Sequence, residues 1–250
     1  MIKISVEMKQ QVEILAQKRL LSWLVLHRVS VKDNDYSLIS HEINRLRAFE
    51  KTSQTIIRNY LVSLETSQLI SSSYHRRRKT FTIVPYAKQY YLRKEGLLLL
   101  ESLNSHKKHL DSLLLAETRT ANYHPIPQIN VRFLGRILTF KNVFPYYILD
   151  LLQKERMALS YAGIQDLLIQ KLGWSCSSKA ISVYIDALVE CSHVEIITED
   201  EQQKKFRLTQ SGQSSFPIYE ECAINDLQKG RAMLQELIHY ILSFLNERNR

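Results

Sequence analysis

Eighteen residues recur half a chain apart. The segment SQTIIRNYLVSLETSQLI at 53–70 aligns with SSKAISVYIDALVECSHV at 177–194, at an offset of 124. Apolar positions stay in register: Ile57 meets Ile181, Tyr60 meets Tyr184, Leu61 meets Ile185, Leu64 meets Leu188, and Ile70 meets Val194. Within each copy they run i, i+3, i+4 and i+7, the spacing of a helix that buries one face. Serines precede both helices and are suited to accept from their first free amides. A chain of 250 residues with two such helices so placed is constrained to build one kind of unit twice.

The flanks repeat as well. Apolar stretches at 20–26 and 144–152 precede the two copies, and amphipathic segments at Ser37–Arg47 and Tyr161–Leu172 lead into the serine-capped helices. After each helix comes a β-prone stretch, a polar turn and a second β-prone stretch: 69–74, 75–79 and 80–84, then 194–198, 199–205 and 206–209. One residue of slip sets Phe81 against Phe206. The predicted order is three helices and a hairpin, twice. Only six glycines and five prolines leave little room for an all-β fold or glycine-rich phosphate loops, and 45% hydrophobic content excludes disorder.

The stretch Thr52–Ile70, with a basic hairpin behind it, resembles the winged helix-turn-helix superfamily. Leu208–Gly212 (LTQSG), opening a long helix, resembles the segment just after the wing in MarR-type regulators; Val84–Lys88 (VPYAK) stands there in the first half. The resemblance implies a mostly α fold with small β-hairpin wings, arranged as two tandem winged-helix domains. The first is expected over residues 1–120 and the second over 130–250. Residues 121–129 form the linker between them, because Pro125 and Pro127 cannot continue a helix. Leucine-rich stripes at Lys94–Glu117 and Glu220–Glu247 predict long helices that pack against a partner copy, hence a homodimer.

Charge is divided unequally. Residues 1–125 hold 20 lysines and arginines against 11 acids, whereas residues 126–250 hold 14 against 14. The net charge of +9 therefore lies in the first half, favouring a polyanionic partner there. With Ile57 at the centre of the buried face, Thr55, Arg58, Asn59 and Val62 point outward, and Ser53 and Gln54 sit at the exposed first turn. Arg can donate twice to guanine, Asn or Gln can pair with adenine, and a Val methyl can meet thymine, while hydroxyls and helix N-terminal amides hold phosphate. His75 precedes Arg76, Arg77, Arg78 and Lys79, four consecutive cations at a hairpin tip that suit phosphates.

The second copy offers Lys179, Ser182, Val183 and Asp186 at the equivalent outward positions, and its hairpin tip carries Glu199, Asp200 and Glu201 beside Lys204 and Lys205. Phosphates would repel that tip. This half is expected to pack, dimerise or meet a protein, with a weaker DNA contact open to Ser177, Ser178, Lys179 and Ser182.

Catalytic chemistry is not expected. His41–Arg45 (HEINR) lacks the second histidine of a zinc-protease helix, and His106 and His109, flanking two lysines, read as surface or interface histidines. No phosphate-loop, dinucleotide or hydrolase-elbow motif occurs, so neither an enzyme nor a cofactor nor a metal is predicted. Cys176, Cys191 and Cys222 read as reduced, buried structural thiols. No apolar run reaches the length of a membrane span, and a cytoplasmic address is expected. Tyr86, Tyr90 and Tyr91, close to Lys88 and Arg93, can either pack half-buried on a helix or stack unpaired bases; Tyr60 and Tyr184 read as core. The function expected is sequence-specific binding of double-stranded DNA by a transcriptional regulator. The alternatives are a plasmid or phage replication initiator and a tandem winged-helix scaffold of the kleisin-associated kind.

Overall fold

The computed structural model describes residues 17–31, 34–75, 78–114, 137–138, 140–172, 177–198 and 204–246. The linker expected at 121–129 lies outside them. The described residues are mostly helical and include two small antiparallel sheets, and the chain divides into two compact units. One comprises 1–107 together with 233–250, and the other 108–232.

The first unit begins with α1 (Gln17–Val31), where Leu20, Leu21, Trp23, Leu24, Val25 and Leu26 are all buried. A helix apolar on every side belongs at the centre. Strand β1 (Asn34–Asp35) leads into α2 (Tyr36–Asn44), a 3-10 turn (Arg47–Phe49) and α3 (Gln54–Thr66). Strands β2 (Ile70–His75) and β3 (Arg78–Ile83) form the hairpin. The sheet order is β1-β3-β2, with Asn34 opposite Phe81 and His75 opposite Arg78. A single π turn (Ala87–Tyr91) then opens α4 (Leu92–Leu114). Helix α1 packs on α2, α3 and β3, and the Trp23 indole donates to the Leu92 carbonyl at 2.8 Å. The same indole lies 3.2 Å from where a Cβ on Gly96 would stand, so the absent side chain admits the close approach.

The second unit repeats this order. Helix α5 (Phe140–Glu155), β4 (Leu159–Ser160), α6 (Tyr161–Leu172), α7 (Ser178–Glu190), β5 (Val194–Thr198) and β6 (Lys204–Leu208) precede α8 (Gln210–Asn246). Its sheet order is β4-β6-β5, with Leu159 opposite Phe206. Both sheets thus contain a third, two-residue strand between the first and second helices, which sequence periodicity cannot reveal because two residues carry no period.

The turn after the serine-capped helix is the same device in both units. Gln68 and Ser192 take left-handed conformations, φ 57° and 60°. Leu69 donates to the Leu64 carbonyl at 3.0 Å, and His193 to that of Leu188 at 2.9 Å. This six-to-one bond with a left-handed residue inside it satisfies helix-end carbonyls, here without glycine.

Of the leucine stripes, Leu99, Leu103 and Leu110 of α4, and Leu227, Leu234, Leu237, Ile238 and Ile241 of α8, are buried, whereas Leu97 is 52% exposed. Two expectations are corrected. His106 and His109 are not at the surface but fully buried on α4, because 99, 103, 106 and 110 follow one helical stripe. Burial pushes His106 down to about 4, with the Ser102 carbonyl at 2.7 Å from Nδ1 opposing that shift. Finally, Cys191 and Cys222 are exposed free thiols; Cys191 caps the solvent end of α7, and Cys222 lies on the open side of α8. Cys176 lies outside the described residues.

The end of α8 belongs to the first unit and meets α1 through rings. Trp23 and His27 stack at 5.3 Å, Phe244 stands edge-on to both, and His27 Nδ1 lies 2.7 Å from the Tyr240 hydroxyl. Burial, and secondarily the Arg28 charge, pushes His27 down to about 4.

Candidate nucleic-acid interface

Helix α3 positions the first group. Ser53, in extended backbone, accepts from the Ile56 amide at 3.4 Å, while Ile57, Leu61 and Leu64 anchor the inner face. Ser53, Gln54, Thr55, Arg58, Asn59 and Val62 are all exposed, Val62 by 52% despite being apolar. The structure brings these six residues onto one end and one side of a helix. Arg58 and Asn59 follow Thr55 by three and four positions, and Val62 follows them by four and three, so each side chain has neighbours one turn away on the same side.

The hairpin divides its cations. Arg76 and Arg77 lie outside the described residues. Arg78 is 78% exposed at its side chain, and its Nη1 lies 3.3 Å from Oδ2 of Asp35. Lys79 points to the other side of β3, since successive strand residues alternate faces. Its Nζ pairs with Glu65 Oε2 at 2.9 Å and sits 5.3 Å from the Phe81 ring centre. Ser72 also donates to Glu65. Bonds from Ser72 and Lys79 together hold the Glu65 carboxyl below its usual range. Four adjacent cations in the sequence are therefore not four equivalent cations in space. Lys79 ties the hairpin to the last turn of α3.

Two positioning residues carry no functional motif in the sequence. Asp35 accepts from the Leu38 amide at 3.0 Å through Oδ1, capping α2, while its other oxygen faces Arg78. An aspartate before an amphipathic run is a legible capping signal. Glu65 has no such signal, because its two partners come from strands 7 and 14 residues away.

The second unit presents different chemistry on the same frame. Ser177 accepts from the Ala180 amide at 3.2 Å, and Ile181, Ile185 and Leu188 face inward. Ser177, Ser178 and Lys179 are exposed and Ser182 is half-buried, but Ser178 donates to Gln165 at 2.9 Å and Ser182 to the Lys179 carbonyl at 2.9 Å. Asp186, in the place of Val62, accepts from the Tyr161 hydroxyl at 2.9 Å. Burial and Asp186 push that phenol up to about 12. On the hairpin, Arg207 pairs with Glu195 at 2.8 Å; the acidic tip, residues 199–203, lies outside the described residues.

Tyr86 and Tyr90 are exposed and stacked on each other, while Tyr91, Tyr60 and Tyr184 are half-buried. Among the described residues no three histidines, cysteines or acids converge to hold a metal ion, and no helix is long and apolar enough to cross a membrane. Comparison with protein-family models, with curated proteins and with solved structures gives no match.

Proposed function

We propose that the chain is a sequence-specific double-stranded DNA-binding protein, built as two tandem winged helices, that contacts DNA through the first and acts as a transcriptional regulator. The observation that carries this reading is the exposed row of Arg58, Asn59 and Val62 behind the Ser53-capped turn, in the half that holds all the excess positive charge. A helix of this kind fits the major groove, with its hairpin along the phosphates. Arg58, Asn59 and Gln54 face base edges, Val62 meets a thymine methyl, and Ser53 and Thr55 hold phosphate. Arg76, Arg77 and Arg78 neutralise backbone charge, whereas Lys79 first serves to brace the hairpin against Glu65.

Binding of purified protein to random duplex across a salt series tests this. Three phosphate contacts give a slope of roughly −2.7 and four roughly −3.6. A variant with Arg76, Arg77, Arg78 and Lys79 changed to alanine loses both slope and affinity. Failure of wild type to bind duplex even at low salt overturns the reading.

A protein-docking role for the second unit is favoured by Asp186, held by Tyr161 where a groove-facing residue would stand, beside exposed Val183. The long helices leave Leu97 exposed beside their buried leucines, and sedimentation of the protein on DNA reads whether it binds as a homodimer. Inverted repeats among selected sites support a regulator; tandemly iterated sites support an initiator.

A further inference from the structure

We infer that Tyr86 and Tyr90, with Arg93 and Lys94, form a stacking platform for an unpaired DNA strand, distinct from the face of α3. The two rings are 67% and 61% exposed, lie nearly parallel at 8°, and have centres 5.7 Å apart. The two rings pack against each other and stay largely open to solvent. The π turn places them there. Inward positions step from Ala87 to Leu92, then to Glu95 and Gly96, then to Leu99, so the first step is five residues instead of three or four. That extra residue keeps Tyr86 and Tyr90 on the outer side while Tyr91 goes half inward. Wide turns of this type are frequent at functional sites.

The backbone beneath the two rings is tied to the rest of the unit by hydrogen bonds. Ala87 is buried, the Val84 amide donates to the Leu69 carbonyl at 3.1 Å, and the Lys88 amide donates to the Val84 carbonyl at 3.1 Å. Lys88 Nζ reaches the Ser30 carbonyl at 3.4 Å, which ties it to the end of α1. Arg93 and Lys94 lie three and four residues beyond Tyr90, hence one turn further on its side, and both are exposed. The neighbouring acid, Glu95, is turned inward and held by two 2.6 Å bonds from Arg19. Stacked aromatic faces beside exposed cations match the two demands of a single strand, which offers base faces and phosphates together. A neutral apolar partner would gain nothing from Arg93 and Lys94.

Anisotropy of a labelled oligothymidylate of about 20 nucleotides tests the platform. Changing both Tyr86 and Tyr90 to alanine is expected to weaken single-strand binding by roughly tenfold or more, while Tyr86→Phe with Tyr90→Phe retains it, since stacking needs the ring and not the hydroxyl. Random duplex binding by the alanine variant stays at the wild-type level, and matching thermal melts exclude misfolding. Arg58→Ala separates the two readings, because it lowers binding at a selected duplex site and leaves oligothymidylate binding unchanged. The inference is overturned if wild type does not bind the oligothymidylate, if the alanine variant binds it as wild type does, or if duplex and single-strand binding fall together. A protein that binds the single strand through these rings but binds no duplex keeps the platform and loses the function proposed above.

Discussion

The two units share a frame and differ in what they show to solvent. Serine caps at 53 and 177, left-handed turns at 68 and 192, and inward triads Ile57-Leu61-Leu64 and Ile181-Ile185-Leu188 are counterparts. At the outward positions, Asn59 becomes Val183 and Val62 becomes Asp186, and Glu65, which clamps the first hairpin, has Val189 as its counterpart. The entry to the long helix diverges too. Thr209 accepts from the Gly212 amide at 3.0 Å and donates to the Ser192 carbonyl at 2.8 Å, and the bare Gly212 lies against the His193 carbonyl. At the matching position of the first unit stands Ala87, whose Cβ accompanies a widened π turn. Buried positions tolerate only residues of similar shape, so duplication leaves them alike. Exposed positions are free to acquire separate tasks.

That contrast can be broken most forcefully at the hairpins. Replacing Arg76, Arg77, Arg78 and Lys79 with alanine is expected to weaken duplex binding by roughly a thousandfold at low salt, whereas alanine at Lys204 and Lys205 leaves it unchanged. Fluorescence titration against salt reads both. In the cores the units respond equally: Leu61→Ala and Ile185→Ala each cost about 2–5 kcal/mol of stability, measured by urea unfolding with hydrogen exchange to locate the loss. Similar damage with dissimilar effects on DNA separates frame from surface.

Acid sharpens the comparison from another side. His27 and His106 of the first unit are both pushed from 6.5 to about 4 by burial. Between those values the unfolded chain binds protons that the folded one refuses, so stability is present above about 6.5 and is lost as pH falls toward 4. At about 1.4 kcal/mol per pKa unit, each contributes on the order of 3 kcal/mol. Exchange protection of α3 is expected to fall over this window, and His27→Gln to flatten the fall.

Smaller effects test the outward face of α3. Arg58→Ala is expected to cost about 1–3 kcal/mol at a selected site and little on random duplex, with Lys179→Ala neutral on both. Equal losses on both DNAs would make Arg58 a phosphate contact. Smallest of all, Ser53→Ala and Ser177→Ala each remove one cap, at about 1 kcal/mol in thermal melts.

Much of the frame was legible. Helical spacing located α3 and α7 and their outward residues, because a 3.6-residue period is a local property of the chain. The alternation of β3 was legible in principle, yet a run of four like charges conceals it, and only strand pairing shows that Arg78 and Lys79 part company. The leucine stripes were visible, but their partners were not: an apolar face looks the same whether its own chain or a second copy covers it. The tyrosines pose the mirror problem, since nothing local says that a π turn will carry Tyr86 and Tyr90 outward.

The sequence by itself determined the duplication, the caps, the buried faces and the confinement of positive charge to the first half. Those features depend on residue identity and short-range spacing. The tertiary structure alone decided that Glu65 captures Lys79, that Asp35 serves both α2 and Arg78, that two-residue strands complete each sheet, and that His27 is buried against Phe244. Each depends on residues brought together from distant parts of the chain, where packing geometry selects the partner.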